Sequence, residues 1–289
     1  MIIDQWLYSK EELLDTPSIS DGITFEQEQL DRTKGCHYLL AVAARLNLPQ
    51  LVVATATTFF HRFFMRHSMK RFHIYDMAAT SLLVAAKVEE STRRIKDFVN
   101  ACAQKAAKND KLVLDENSKD FVRWKETMLF NEVILLETLC FDLTVEHPHS
   151  YLQHMETKLD VSGSMLRKAW MLLYQCSGAP LCLLYEPNLI AGAALLLASY
   201  MSSESLEEEW WEAVHLDGPA IHEVASDMLG YYTDHYIKKS ATTAAVVPST
   251  SAASSPFPHS PHPQSPQAQS PLQATHLPQH SSLTNNPPS

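Results

Sequence analysis

Apolar side chains run all the way around one segment of this chain, Tyr75 to Glu90 (YDMAATSLLVAAKVEE), which then ends in Lys87, Glu89 and Glu90. A surface helix of a globular protein carries an apolar stripe of roughly 100°. Here Met77, Ala78, Ala79, Leu82, Leu83, Val84, Ala85 and Ala86 cover the full circumference, which predicts a helix enclosed by other helices. Sliding the sequence along itself lays a second such segment, PNLIAGAALLLAS at Pro187 to Ser199, over the first. Ala191 then falls on Ala79, Leu195 on Leu83 and Ala198 on Ala86. The pattern predicts one all-α unit used twice, each copy wrapped around a small-residue central helix.

The remaining periodicities predict the helices around each centre. Ser9 opens a short helix, SKEELL, with Glu12 three residues on for a reciprocal cap. Asp15 to Gly22 reads as a loop. A helix follows from Thr24 to Leu46, with Leu30, Leu39, Leu40, Val42 and Ala43 facing inward. Further helices are expected at Pro49 to His67, at the central segment, at Ile95 to Ala107 and, after a polar connection from Lys108 to Asp120, at Phe121 to Cys140. The inward face of the last includes Trp124, Met128, Val133, Leu136 and Leu139. Pro148 can open a helix but not sit inside one, so TVEHPHSYL turns the corner into the second unit. Its helices are expected at His149 to Leu159, Gly163 to Cys176, Pro187 to Met201, Leu206 to Val214 and Pro219 to Ile237. No segment reads as a strand.

Composition marks the boundaries. Every Asp, Glu, Lys and Arg lies before position 241, and ten of the 16 prolines lie after it. Residues 241–289, rich in Ser, Pro, Gln and His, have too few apolar side chains to offset the entropy of ordering them and are expected to be disordered. The chain therefore divides into an N-terminal helix and loop (1–22), a first unit (23–146), a second (147–240) and the tail.

A net charge of −10 argues against broad binding to a phosphate backbone, which needs a basic face. Five cysteines, Cys36, Cys102, Cys140, Cys176 and Cys182, form no CxxC pair and read as buried free thiols rather than a metal site. The start lacks the pattern of a signal peptide, and no stretch reaches the ~20 apolar residues of a membrane span, so an intracellular protein is expected.

Catalytic chemistry has no visible carrier: no phosphate-cradling glycine loop, GxSxG elbow or HExxH helix occurs. The cluster His61, Arg62, Arg66, His67, Lys70, Arg71 and His73 reads as a basic, solvated helix end. Lys87 is ambiguous, because a lysine directly after a buried helix must reach water, a carbonyl or a partner. Glu132, in NEVILLE, shares that ambiguity.

Three motifs resemble the cyclins, in particular the transcriptional cyclins of K and T type: FFHRFFMRHS at Phe59 to Ser68, LLVAAKVEESTRRIKDFV at Leu82 to Val99, and LLETLCFDLTVEHPHSYL at Leu135 to Leu152. The resemblance spans Trp6 to Tyr236. It implies two tandem five-helix cyclin boxes and a non-enzymatic regulatory subunit of a cyclin-dependent kinase that phosphorylates the tail of RNA polymerase II. It further implies a nuclear location and no cofactor or metal. By motif position the lysine and glutamate that grip the kinase near its C helix fall on Lys87 and Glu132. The surrounding contact surface falls on Val88, Glu89, Glu90, Leu136, Phe141 and Leu143. Cell-cycle cyclins carry a Met-Arg-Ala-Ile-Leu substrate-docking patch where this chain has Asp31, Arg32, Thr33, Lys34 and Gly35, so only the arginine is kept.

Two other readings compete. One is a IIB-type basal transcription factor, whose paired cyclin folds grip DNA and the TATA-binding protein; that family brings a zinc ribbon and a basic face that are not seen here. The other is a helical scaffold with no kinase partner. In the tail, Ser255, Ser260, Ser265 and Ser270 each precede proline at five-residue spacing and are candidate phosphorylation sites for the partner kinase, against a background of simple compositional bias.

Overall fold

The structure, a computed structural model, describes residues 5–202 and 204–237. The tail expected to be disordered, with its four Ser-Pro serines, lies outside the described residues. Among the described residues the regular structure is helical, with no strand.

After a 3-10 turn at Glu12–Leu14 come α1 (Pro17–Ser20), α2 (Phe25–Arg45), α3 (Gln50–Arg66), α4 (Ile74–Val88), α5 (Ile95–Ala106) and α6 (Lys119–Thr138). The chain continues through α7 (Pro148–Leu159), α8 (Gly163–Gln175), a 3-10 turn at Cys176–Gly178, α9 (Leu181–Leu184), α10 (Pro187–Ser202), α11 (Trp210–Ala213) and α12 (Gly218–Tyr232). The caps follow local chemistry. Ser9 and Glu12 exchange the two bonds of a capping box, at 2.7 and 3.2 Å, although what they cap is a single 3-10 turn. Thr24, Ser118, Ser162 and Asp217 each accept the first free amides of the helix that follows. The segment read as a loop before Gly22 contains α1, because Thr16 caps it and Pro17 occupies its first turn. The helix expected at Leu206 to Val214 shrinks to four residues, since the run Glu207, Glu208, Glu209 has no burial to gain and only Trp210 of the segment is fully buried.

Both central helices are where the pattern put them. Met77 to Ala86 are buried without a break in α4, which packs on α2, α3, α5 and α6. Ile190 to Ser199 are buried likewise in α10, among α7, α8 and α12. Each sits in its own hydrophobic core.

The sequence reading misplaces several surrounding residues. On α2 the inward positions are Glu28, Arg32, Cys36, Leu39 and Val42 to Ala43, so Leu30 points outward and is 40% exposed. Val133 likewise faces out from α6. Cys36, Cys102 and Cys176 are buried thiols, but Cys140 is exposed just past the end of α6. The largest correction concerns α3. His61 and Arg62, read as part of a solvated basic end, are buried, because α3 packs on α2, α4 and α6 on one side and on α9 on the other.

That interior is polar where α2 meets α3. Arg32 and Glu28 form an ion pair at 2.7 Å with neither side chain exposed. Arg32 also donates to the carbonyls of His61 and Phe64, each at 3.0 Å, and so ties off the last turn of α3. Thr16 donates to the other Glu28 oxygen. Gly35, one turn along α2, sits where a Cβ would collide with the Phe60 ring, which lets the two helices approach. The arginine kept from the cell-cycle docking patch is thus an interior strut, not a docking residue.

Three neutral histidines join the two cores. His61 Nε2 is 3.0 Å from the Ser177 carbonyl, His147 Nε2 is 2.8 Å from Thr55 Oγ1, and His149 Nε2 is 3.3 Å from Gln50 Nε2. Burial, with the Arg32 charge adding to it, pushes His61 down to about 3; burial, with Arg62 adding, pushes His147 down to about 4; burial, with His147 adding, pushes His149 down to about 4.

An acid-labile fold follows. The unfolded chain takes up protons on these histidines near pH 6.5 and the folded chain does not, so their stabilisation is complete above that pH and declines as pH falls toward about 4. Thermal midpoints measured from pH 8 to 4.5 should stay level and then fall below 6.5, and His147→Gln should flatten the fall. Removing one member of the buried pair is expected to be severe: Glu28→Ala should lower unfolding free energy by about 3 to 5 kcal/mol in urea titrations, because it leaves the Arg32 charge buried without its carboxylate.

Candidate functional site

The last turn of α4 is where the buried run from Met77 to Ala86 ends and the helix meets water again. Lys87 lies there, close to half exposed, and its Nζ is 2.5 Å from Oε1 of Glu132 on α6. The two residues are 45 positions apart and meet because α4 packs directly on α6. At this exposure the pair adds at most about 1 kcal/mol to folding. Its value is geometric: it holds one cation and one anion together at the surface.

Both helices end the same way. Ser91 donates its backbone N–H to the Ala86 carbonyl and Glu90 to that of Lys87, the paired bonds of a Schellman cap, with Glu90 in the left-handed region at φ 50°. At the end of α6, Phe141 donates to the Leu136 carbonyl and Cys140 to that of Glu137, with Cys140 at φ 53° and Phe141 at φ 57°. Glycine is the usual residue in such backbone, so these are strained positions.

The remaining residues expected at the site divide by direction. Glu90 is exposed, and Phe141 is 67% exposed despite its size. Val88, Leu136 and Leu143 are half-buried and lean on the first core. Glu89 turns inward and accepts from Thr55 Oγ1 at 2.7 Å, the hydroxyl that also meets His147, so it secures the end of α4 to α3 and to the corner between the cores.

The structure adds Leu129 and Phe130, which periodicity did not single out, and turns outward Val133, which periodicity placed inside. Leu129, Phe130 and Val133 are exposed on α6, with Phe130 at 69% and Leu129 one turn before Glu132. An exposed cluster of large apolar side chains on a helix that also presents a paired charge has the composition expected of a protein-binding surface. A sequence signal exists: α6 carries more apolar residues than one core-facing stripe can use.

Comparison with known proteins agrees. Residues 4–144 match the family model for the cyclin N-terminal domain. Cyclin pch1 of Schizosaccharomyces pombe is 44% identical over 195 residues, covering 67% of this chain and 57% of that protein. Cyclin-T1-2 of Arabidopsis thaliana is 34% identical over 206 residues, covering 70% of this chain and 45% of that one. The chain thus spans about half the length of these curated relatives. Among solved structures, the crystal structure of the yeast RNA Pol II CTD kinase CTDK-1 complex contains a chain that superposes with a TM-score of 0.68 at 17% identity, over 80% of this chain and 74% of that one, a likeness of fold. Enclosed central helices, a surface Lys–Glu pair and the matched N-terminal domain converge on one assignment: the chain belongs to the cyclin family.

Proposed function

We propose that this cyclin is a non-catalytic activator: it binds a cyclin-dependent kinase that phosphorylates the C-terminal domain of RNA polymerase II, and so promotes transcription elongation in the nucleus. Residues 23–146 and 147–240 are its two boxes. The observation that carries the reading is the Lys87–Glu132 pair, held at the surface where α4 meets α6, with Val133 exposed on α6 and Phe141 exposed just past its end. The 44% identity to cyclin pch1 and the fold shared with a CTD-kinase complex support it.

The mechanism is a population shift. A monomeric kinase whose C helix swings outward lacks the lysine–glutamate ion pair that holds the ATP phosphates. Docking of the helix against the α4 and α6 surface favours the inward state. Shifting a two-state equilibrium from 1:99 to 99:1 takes about 5.5 kcal/mol of differential binding, within reach of a large helix-to-helix interface. In the tail, Ser255, Ser260, Ser265 and Ser270 are offered as acceptors for the same proline-directed partner.

Lys87→Ala and Glu132→Ala should each weaken kinase association by about 2 to 5 kcal/mol, because docking then buries the remaining charge without its partner. Affinity capture of the kinase, followed by titration and phosphorylation of a heptad-repeat peptide, measures this; undiminished affinity in both variants refutes the site. Incubating the complex with ATP and mapping phosphates by mass spectrometry tests the tail. Four unmodified serines would remove that part of the proposal.

A further inference from the structure

Phe141 offers a bulky ring to solvent from the second of two consecutive left-handed residues, a conformation unfavourable for any side chain with a Cβ. Such backbone persists only where its surroundings over-determine it. The restraints come from the other end of the sequence. Trp6, only 1% exposed, donates its Nε1–H to Asp142 Oδ2 at 2.8 Å, and Gln5 Nε2 donates to the same oxygen at 3.1 Å. The Trp6 bond holds the Asp142 carboxyl below the usual aspartate range and thus ionised. Over the Trp6 ring lie the guanidinium carbons of Arg62 and Arg66, 4.8 and 4.4 Å from its centre. Arg66 in turn donates to the Thr138 carbonyl at 2.8 Å and reaches Cys140 Sγ at 3.1 Å. The turn is therefore gripped on both sides of Phe141, at 138 to 140 and at 142.

The same N-terminal segment is tied to the second core. Tyr8 donates its backbone N–H to the Leu183 carbonyl at 2.7 Å, and Lys10 forms ion pairs with Glu223 at 2.9 Å and Asp227 at 3.0 Å. Six residues thus connect the end of α6 with α9 and α12.

We propose that Trp6 is a positioning residue for partner binding: through Asp142, and through Arg66 stacked on its ring, it fixes the left-handed turn that projects Phe141 from the kinase-binding face. This rests on the kinase-binding reading above. Trp6 touches no partner in this scheme. It acts through the geometry of residues 139–143, and the anchoring at Tyr8 and Lys10 keeps it in place.

A double-mutant cycle on the full chain, with affinity for the captured kinase as readout, separates positioning from general destabilisation. Phe141→Ala should weaken binding about 10-fold or more. Trp6→Phe, which keeps a ring over the arginines but removes the N–H, and Asp142→Ala should each weaken it several-fold, about 3 to 10. Neither should add anything in a Phe141→Ala background, and Asp142→Asn, which retains an acceptor, should bind as the parent does. In the chain without partner, the amides of 140–142 should exchange faster in Trp6→Phe and Asp142→Ala while the centre of α4 stays protected. Additive losses in the cycle, unchanged exchange at the turn, or a neutral Phe141→Ala overturns the proposal. If Lys87→Ala and Glu132→Ala are also without effect, the kinase-binding reading itself fails. If they weaken binding while the Trp6 and Asp142 variants do not, only the positioning role is lost.

Discussion

A helix with no solvent face can exist only if its neighbours come close on every side, and this constraint organises the first box. α4 meets it with Ala78, Ala79, Ala85 and Ala86 and with contacts on α2, α3, α5 and α6, so its direction is set by four partners at once. Where the enclosure ends, the chain needs charge, and Lys87 is that point. The site is therefore a consequence of the core: the lysine emerges at a place and angle that α4 and α6 fix together, and Glu132 meets it without rearrangement.

The interior that supports this arrangement is not purely apolar. Arg32 and Glu28 occupy inward positions of α2 and bind the end of α3 through backbone carbonyls, while His61 carries the contact onward to Ser177 in the second box. A buried pair of this kind contributes little net stability compared with apolar replacements, but it tolerates few alternative arrangements. Its directional bonds specify how α3 lies between the two cores. That placement in turn brings Arg62 and Arg66 to the Trp6 ring, which is bonded to Asp142 just past the end of α6.

Left-handed backbone at non-glycine residues recurs at helix ends through the fold, at Asn47 after α2, Glu90 after α4, Lys108 after α5 and Asp160 after α7. The end of α4 therefore closes as other helices of this chain do, with the same pair of backbone bonds seen after α2 and α5. The end of α6 differs: among the described residues, Cys140 and Phe141 are the one place where two such residues follow each other. Helix N-termini are closed by serine, threonine and aspartate side chains.

Much of this was legible from residues alone. Two apolar-all-round segments in register announced a duplicated all-α architecture, capping residues located most helix starts, and the KVEE motif pointed to Lys87 and, by resemblance, to Glu132. Hydrophobic periodicity failed where polar side chains go inward or apolar ones outward. It placed Leu30 and Val133 in the core, passed over Phe130 and the strap at Trp6, and left His61 and Arg62 in water. The reason is physical. A side chain's preference for leaving water is a property of that residue and can be read in order along the chain, so the sequence determined which helices form and which two are central. Whether an arginine can be buried, or a phenylalanine must stay exposed, depends on a carboxylate, a carbonyl or a ring arriving from far away in the sequence, and only the tertiary structure decided that.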